Sequence, residues 1–126
     1  MVGVTVGISA HYHDSAVSFI DNSSGEVLFA ASEERFSRIK GDHSFPLQAL
    51  TAGMSFLGKA KEDITRVGYY EKPIVKLSRI LLSPAAQLHR GSHVQLLEIA
   101  PQLGKGRYLP QFQLKRLFPG TPIDFH

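Results

Sequence analysis

The chain has 126 residues and a formal charge of +3, with 43% hydrophobic and 20% charged residues, the make-up of a soluble globular domain and not of a disordered tail. It contains no cysteine, which excludes a disulfide scaffold, a thiolate metal site and a cysteine nucleophile. No apolar run nears the roughly 18 residues of a membrane span, and the opening residues lack the basic leader and long apolar core of a signal peptide. The expected address is therefore the cytoplasm, with no membrane partner.

The first third of the chain reads as three strands. Val2 to Ser9 alternates β-branched residues with glycine, Ala16 to Ile20 and Val27 to Ala31 are short apolar runs, and Asp21-Asn22-Ser23-Ser24-Gly25 between the last two is strong turn chemistry. The polar stretch from Ala10 to Ser15 suits a second antiparallel connection. Arg35 to Ser44 is polar and mixed in charge. Pro46 then opens a helix with Leu47, Leu50, Met54 and Leu57 at helical spacing and Gly58 just past its end. Glu62-Asp63-Ile64 makes a short turn, and Arg66 to Glu71 reads as a fourth strand bounded by Pro73. Three sequential antiparallel strands, a crossing helix and a strand able to pair parallel to the first form the arrangement of one lobe of a ribonuclease-H-like α/β domain.

Residues 1–72 are thus expected to form a β-β-β-α-β core and residues 73–126 a mainly helical extension. In the extension, Ile74 to Leu82, Val94 to Ile99 and Leu109 to Phe118 have helical periodicity, and Ile123 to His126 starts another strand after the turn at Pro119-Gly120. Ending on a newly opened strand gives the chain the look of a piece of a larger protein. Charge divides along the same line: residues 1–70 hold 6 basic and 8 acidic side chains, residues 71–126 hold 8 and 3. A basic half of this kind faces solvent, phosphates or an acidic partner surface. Without a stacking aromatic platform among its basic residues, nucleic acid is not an expected partner.

Two clusters carry candidate chemistry. His11 and His13 straddle Tyr12, so an extended backbone would put both imidazoles on one face, as half of a metal site or as acid, base or hydrogen-bond donor; Asp14 would then point the other way. Ser32-Glu33-Glu34-Arg35-Phe36-Ser37-Arg38-Ile39-Lys40 follows the third strand directly. Its acids and bases are either surface ion pairs or, at a sheet edge, a site in which Arg38 and Lys40 contact phosphate or carbonyl oxygens. Tyr69 and Tyr70, at the end of the fourth strand, read as core and rim. The sequence has no phosphate loop of the GxxxxGK[ST] type and no serine in a nucleophile elbow.

Taken in order, Val6-Gly-Ile-Ser-Ala-His-Tyr-His-Asp-Ser-Ala16, Ala31-Ser-Glu-Glu-Arg-Phe-Ser-Arg-Ile-Lys40 and Tyr69-Tyr-Glu-Lys-Pro73, with a helix opening at Phe45-Pro46, resemble the amino-terminal end of carbamoyltransferases of nodulation-factor and antibiotic biosynthesis. The resemblance covers about the first 80 residues and the remainder follows loosely. It implies an actin-like ATPase fold of two ribonuclease-H-like lobes, related to the enzymes that place threonylcarbamoyl on tRNA, and makes this chain an incomplete first lobe. It implies further that carbamoyl phosphate and ATP give carbamoyl-adenylate, from which the carbamoyl group passes to a hydroxyl of a small acceptor.

Residue by residue, His13 matches the family's catalytic histidine and Lys40 an active-site lysine, with His11, Asp14 and Arg38 as expected substrate contacts. The family's divalent metal, thought to be iron, is held by a His-x-x-x-His pair and a later aspartate. His126 stands about where that pair should start, either just upstream of it or as its first member, and the main metal ligands are expected beyond it. The resemblance thus makes the remainder of the same polypeptide a partner and the 126-residue chain inactive by itself. The reading from another class is a non-catalytic ribonuclease-H-like binding module that pairs with a separate chain.

Overall fold

The computed structural model describes residues 3–11, 13–70 and 110–126. β1 (Val4–Ser9), β2 (Ala16–Asp21) and β3 (Val27–Ser32) are followed by one turn of helix, α1 (Glu34–Ser37), and by α2 (Leu47–Leu57). A 3-10 turn at Lys61–Asp63 leads into β4 (Ile64–Tyr69), and α3 (Pro110–Leu117) leads into β5 (Ile123–Phe125). β4 begins two residues before the expected Arg66 and ends at Tyr69, and α1 overlaps the start of the polar stretch from Arg35, for which no element was expected. The expected helices over Ile74 to Leu82 and Val94 to Ile99 lie outside the described residues. None of the described helices is long and apolar enough to cross a membrane.

The strands form one mixed sheet in the order β3-β2-β1-β4-β5. β1 and β2, and β2 and β3, pair antiparallel, whereas β4 pairs parallel to β1 and β5 parallel to β4. The alternation seen in β1 is obeyed strictly: Val4, Val6 and Ile8 are buried, and Thr5, Gly7 and Ser9 face the other way. Val17 and Phe19 of β2 and Ile64, Val67 and Tyr69 of β4 join the same apolar face. Ala49 and Leu50 of α2 cover it, as do Leu114 of α3 and Phe118 just beyond it. Gly53 is where α2 comes closest to the sheet: a Cβ there would lie within 3 Å of both Phe19 and Phe29 ring carbons. The opposite face carries small and polar residues, among them Gly7, Ser9, Ser18 and Gly68. They line an open concavity of about 1050 Å³.

This topology puts one set of loops at one edge. β1, β3, β4 and β5 all end there and β2 begins there, as the pairings Ser9 with Ala16, Ala16 with Ser32, Ile8 with Tyr69 and Tyr69 with Phe125 show. In open α/β sheets the carboxyl edge of the parallel strands is where ligands bind.

Candidate active site

Two loops meet over that edge. The β1–β2 loop donates the His11 N–H to the His43 carbonyl and the Ser15 N–H to the Asp42 carbonyl, both at 2.8 Å. These bonds dock His13 and Asp14 against the loop that follows α1. Contact is close enough that a Cβ on Gly41 would lie 3.6 Å from Asp14 Oδ1.

The backbone between the two histidines is not the extended run that would align them. His11 is left-handed, with φ +70°, so the period-of-two argument fails where it was applied. The two imidazoles occupy different surroundings: His11 lies 6.4 Å from the Phe45 ring, centroid to centroid, whereas the His13 side chain is 71% exposed. Asp14, expected to point away, brings Oδ2 to 3.3 Å from His13 Nδ1. Both side chains are well exposed, 71% and 64%, so the pair faces solvent at the edge of the sheet.

The acidic and basic run after β3 behaves differently from a set of surface ion pairs. Among the described residues neither Glu33 nor Glu34 pairs with a base; both carboxylates bind backbone amides. Glu33, only 2% exposed, accepts the Gln48 N–H at 3.1 Å and the Ala49 N–H at 2.8 Å. It thereby caps α2, whose own N-cap, Pro46, offers no side-chain bond. The Glu33 N–H in turn binds the Ser15 carbonyl at 2.8 Å, which ties the cap to the β1–β2 loop. Glu34 Oε2 accepts the Gly41 N–H at 2.8 Å. Arg38 ends α1 in left-handed backbone, and Lys40 follows in an exposed turn.

Asp42 anchors this second loop. Its Oδ1 accepts the Ser44 N–H at 2.9 Å and the Ser44 hydroxyl at 2.6 Å. The Ser37 hydroxyl contributes most, ahead of Ser44 and the nearby His43, to holding the Asp42 carboxyl down at about 2, from an ordinary 3.8. None of Glu33, Glu34 or Asp42 was singled out from the sequence for these roles. Asp42-His43-Ser44 carries the signature of an Asx turn and was legible to that extent. The two glutamates bind amides that only the fold brings to them.

His126 occupies the same edge two strands from β1, its N–H bonded to the Tyr69 carbonyl at 3.0 Å. Of the residues singled out in the His11–Asp14 and Arg38–Lys40 segments and at the chain's end, only His126 lines the large concavity. Among the described residues no three His, Cys, Asp or Glu side chains converge as a metal site. The described residues therefore do not make a site for the iron that the resemblance implies. Tyr69 is 2% exposed and Tyr70 44% exposed, core and rim as expected.

A mixed sheet of this order, covered by helices on one face and carrying His, Asp and Lys loops over its carboxyl edge, defines an α/β ribonuclease-H-like lobe. The family model described as carbamoyltransferase N-terminus matches residues 4–100, and the chain belongs to that family. It is also 34% identical over 112 residues to the uncharacterized protein sll1178 of Synechocystis sp., a match that covers 89% of this chain and 18% of that protein. The chain thus spans about a fifth of the length of the curated relative it matches.

Proposed function

We propose that this chain is the amino-terminal lobe of an ATP-dependent O-carbamoyltransferase. In this reading the complete enzyme moves a carbamoyl group from carbamoyl phosphate, by way of carbamoyl-adenylate, to a hydroxyl of a small acceptor. Family membership supports carbamoyl transfer. The observation that carries the site is the docking of the His13–Asp14 loop onto the Lys40–Asp42 loop through the bonds His11 to His43 and Ser15 to Asp42.

The chemistry follows from that juxtaposition. His13 takes the proton of the acceptor hydroxyl while the hydroxyl oxygen attacks the carbamoyl carbon, with the Asp14 carboxylate beside the ring to offset the charge it gains. Formation of the adenylate from carbamoyl phosphate and ATP releases inorganic phosphate and pyrophosphate; in the transfer a carbon–oxygen bond to the acceptor forms, the bond from the carbamoyl carbon to the phosphate oxygen of the adenylate breaks, and AMP leaves with that electron pair. Lys40 offsets negative charge on the carbonyl or phosphate oxygen as it builds. His11 and Arg38, from the same two loops, contact the substrate. ATP supplies the adenylate, and the remainder of the polypeptide supplies the surfaces that hold it and the metal ligands.

The test is carbamoyl transfer from carbamoyl phosphate and ATP by the complete polypeptide. His13→Ala is expected to lower turnover by ~10² or more, the usual range for loss of a general base; an unchanged rate removes His13 from the reaction. The 126-residue chain alone is expected to show no transfer above its own His13→Ala variant. Turnover well above that control would mean that the lobe is sufficient.

A further inference from the structure

The transfer reaction proposed above makes no use of the Glu34 carboxylate, although that group is committed to a single bond. Its Oε2 accepts the Gly41 N–H at 2.8 Å, half-buried and seven residues away in sequence. Within the segment this bond closes the backbone is left-handed twice, with φ +61° at Arg38 and +65° at Gly41. Left-handed backbone is unfavourable for a residue with a Cβ such as Arg38, and the bonds that close this loop work against that cost. The Asp42 N–H returns to the Ile39 carbonyl at 3.2 Å and completes the turn around Lys40. From Gly41 outward the loop meets the His13–Asp14 loop: the Asp42 carbonyl takes the Ser15 N–H, and a Cβ added at Gly41 would lie 3.6 Å from Asp14 Oδ1. Lys40 therefore sits between a left-handed Arg38, whose N–H binds the Glu34 carbonyl, and a Gly41 whose N–H binds the Glu34 carboxylate.

We propose that Glu34 is a positioning residue for the transfer reaction: through the Gly41 N–H its carboxylate holds the Lys40 turn against the His13–Asp14 loop. Glu34 does not touch the reacting atoms and acts through Lys40. The assignment rests on the reading of Lys40 as a group of the active site, and the experiment separates the two.

In the complete polypeptide, Glu34→Ala is expected to lower kcat for carbamoyl transfer by roughly 10- to 100-fold, the range set by a misplacement of about 1 Å, with the KM for the acceptor unchanged. Glu34→Gln keeps an acceptor oxygen at the same reach and is expected to stay within about threefold of wild type. In a Lys40→Ala background, Glu34→Ala should cause no further loss, because residues acting as a unit are not additive. Equal losses with and without Lys40 would overturn the proposal. A fully active Lys40→Ala enzyme would instead overturn the reading of Lys40 on which it rests. Should Glu34→Ala fail to fold, hydrogen exchange of the Gly41 amide in the complete polypeptide serves: it should be slow in wild type, whose Gly41 N–H is held by Glu34 Oε2, and slow in Glu34→Gln. A Gly41 amide that exchanges in wild type as fast as an exposed turn amide would dispose of the bond itself.

Discussion

Replacing Glu33 tests whether the loops over the carboxyl edge are built on α2. Glu33→Ala removes the acceptor of two helix N–H groups, and burial decides what each loss is worth. Gln48 is exposed, so water takes over its N–H at little cost; Ala49 is fully buried, so its N–H is left unsatisfied. One buried, unpaired donor costs about 1–3 kcal/mol, and loss of an N-cap about 1 kcal/mol, part of it the same effect. A side chain 2% exposed also leaves a void. Relief from holding a carboxylate out of water works in the opposite direction. The net expectation is a loss of about 2–4 kcal/mol, a large share of the roughly 5–15 kcal/mol typical of a domain. Glu33→Gln, which keeps one acceptor oxygen, should lose about 1 kcal/mol. The assay is urea unfolding followed by far-UV circular dichroism, with m-values checked for constancy. A loss below about 0.5 kcal/mol for Glu33→Ala, or equal losses for the two variants, would show that this carboxylate does not cap α2.

Two further expectations follow from the same coordinates. Gly53→Ala should destabilise by up to about 2 kcal/mol, because the clash of a Cβ with the fully buried Phe19 ring costs about 1–3 kcal/mol against the ~1 kcal/mol that alanine gains over glycine in a helix. Thermal melts that rank Gly53→Ala above wild type would contradict the packing of α2 on Phe19. Asp42 has its folded-state pKa depressed to about 2, so its contribution to stability is full above the ordinary 3.8 and disappears as pH falls through 2. Between pH 5 and pH 2 wild type should therefore lose more stability than Asp42→Asn, which lacks the titrating group. Parallel acid-denaturation curves for the two proteins would rule that out.

Much of the architecture was legible because its signals are local. Alternation in Val4 to Ser9, the Asp21 to Gly25 turn, and a Pro-opened, Gly-closed helix each act within a few residues, and the order β-β-β-α-β restricts how the strands can pair. Boundaries were less secure where neighbours decide them. β4 gains Ile64 and Thr65 because Ile64 pairs with Val4, and the register shift between Val4 and Thr5 lets Arg66 pair with Thr5. The turn of helix at Glu34–Ser37 escaped notice because it is four residues long, without a periodicity to read.

The candidate site divides in the same way. Residue types and their order along the chain offer His11, His13, Arg38 and Lys40 as candidates, since imidazole, guanidinium and ammonium groups have chemistry that does not depend on the fold, and the resemblance points to His13 and Lys40 among them. Their arrangement was not contained there. The left-handed His11, docked on the His43 carbonyl, and the commitment of Glu33 to amides of α2 depend on bonds between segments well apart in sequence, and even the contacts of Asp14 with His13 and of Glu34 with Gly41 lie in loops whose course those bonds set. Short-range preferences are set by each residue's own sterics and hydrogen bonding and can be read one stretch at a time. Which buried donor meets which acceptor is settled only when the sheet closes and every backbone amide excluded from water must find a partner.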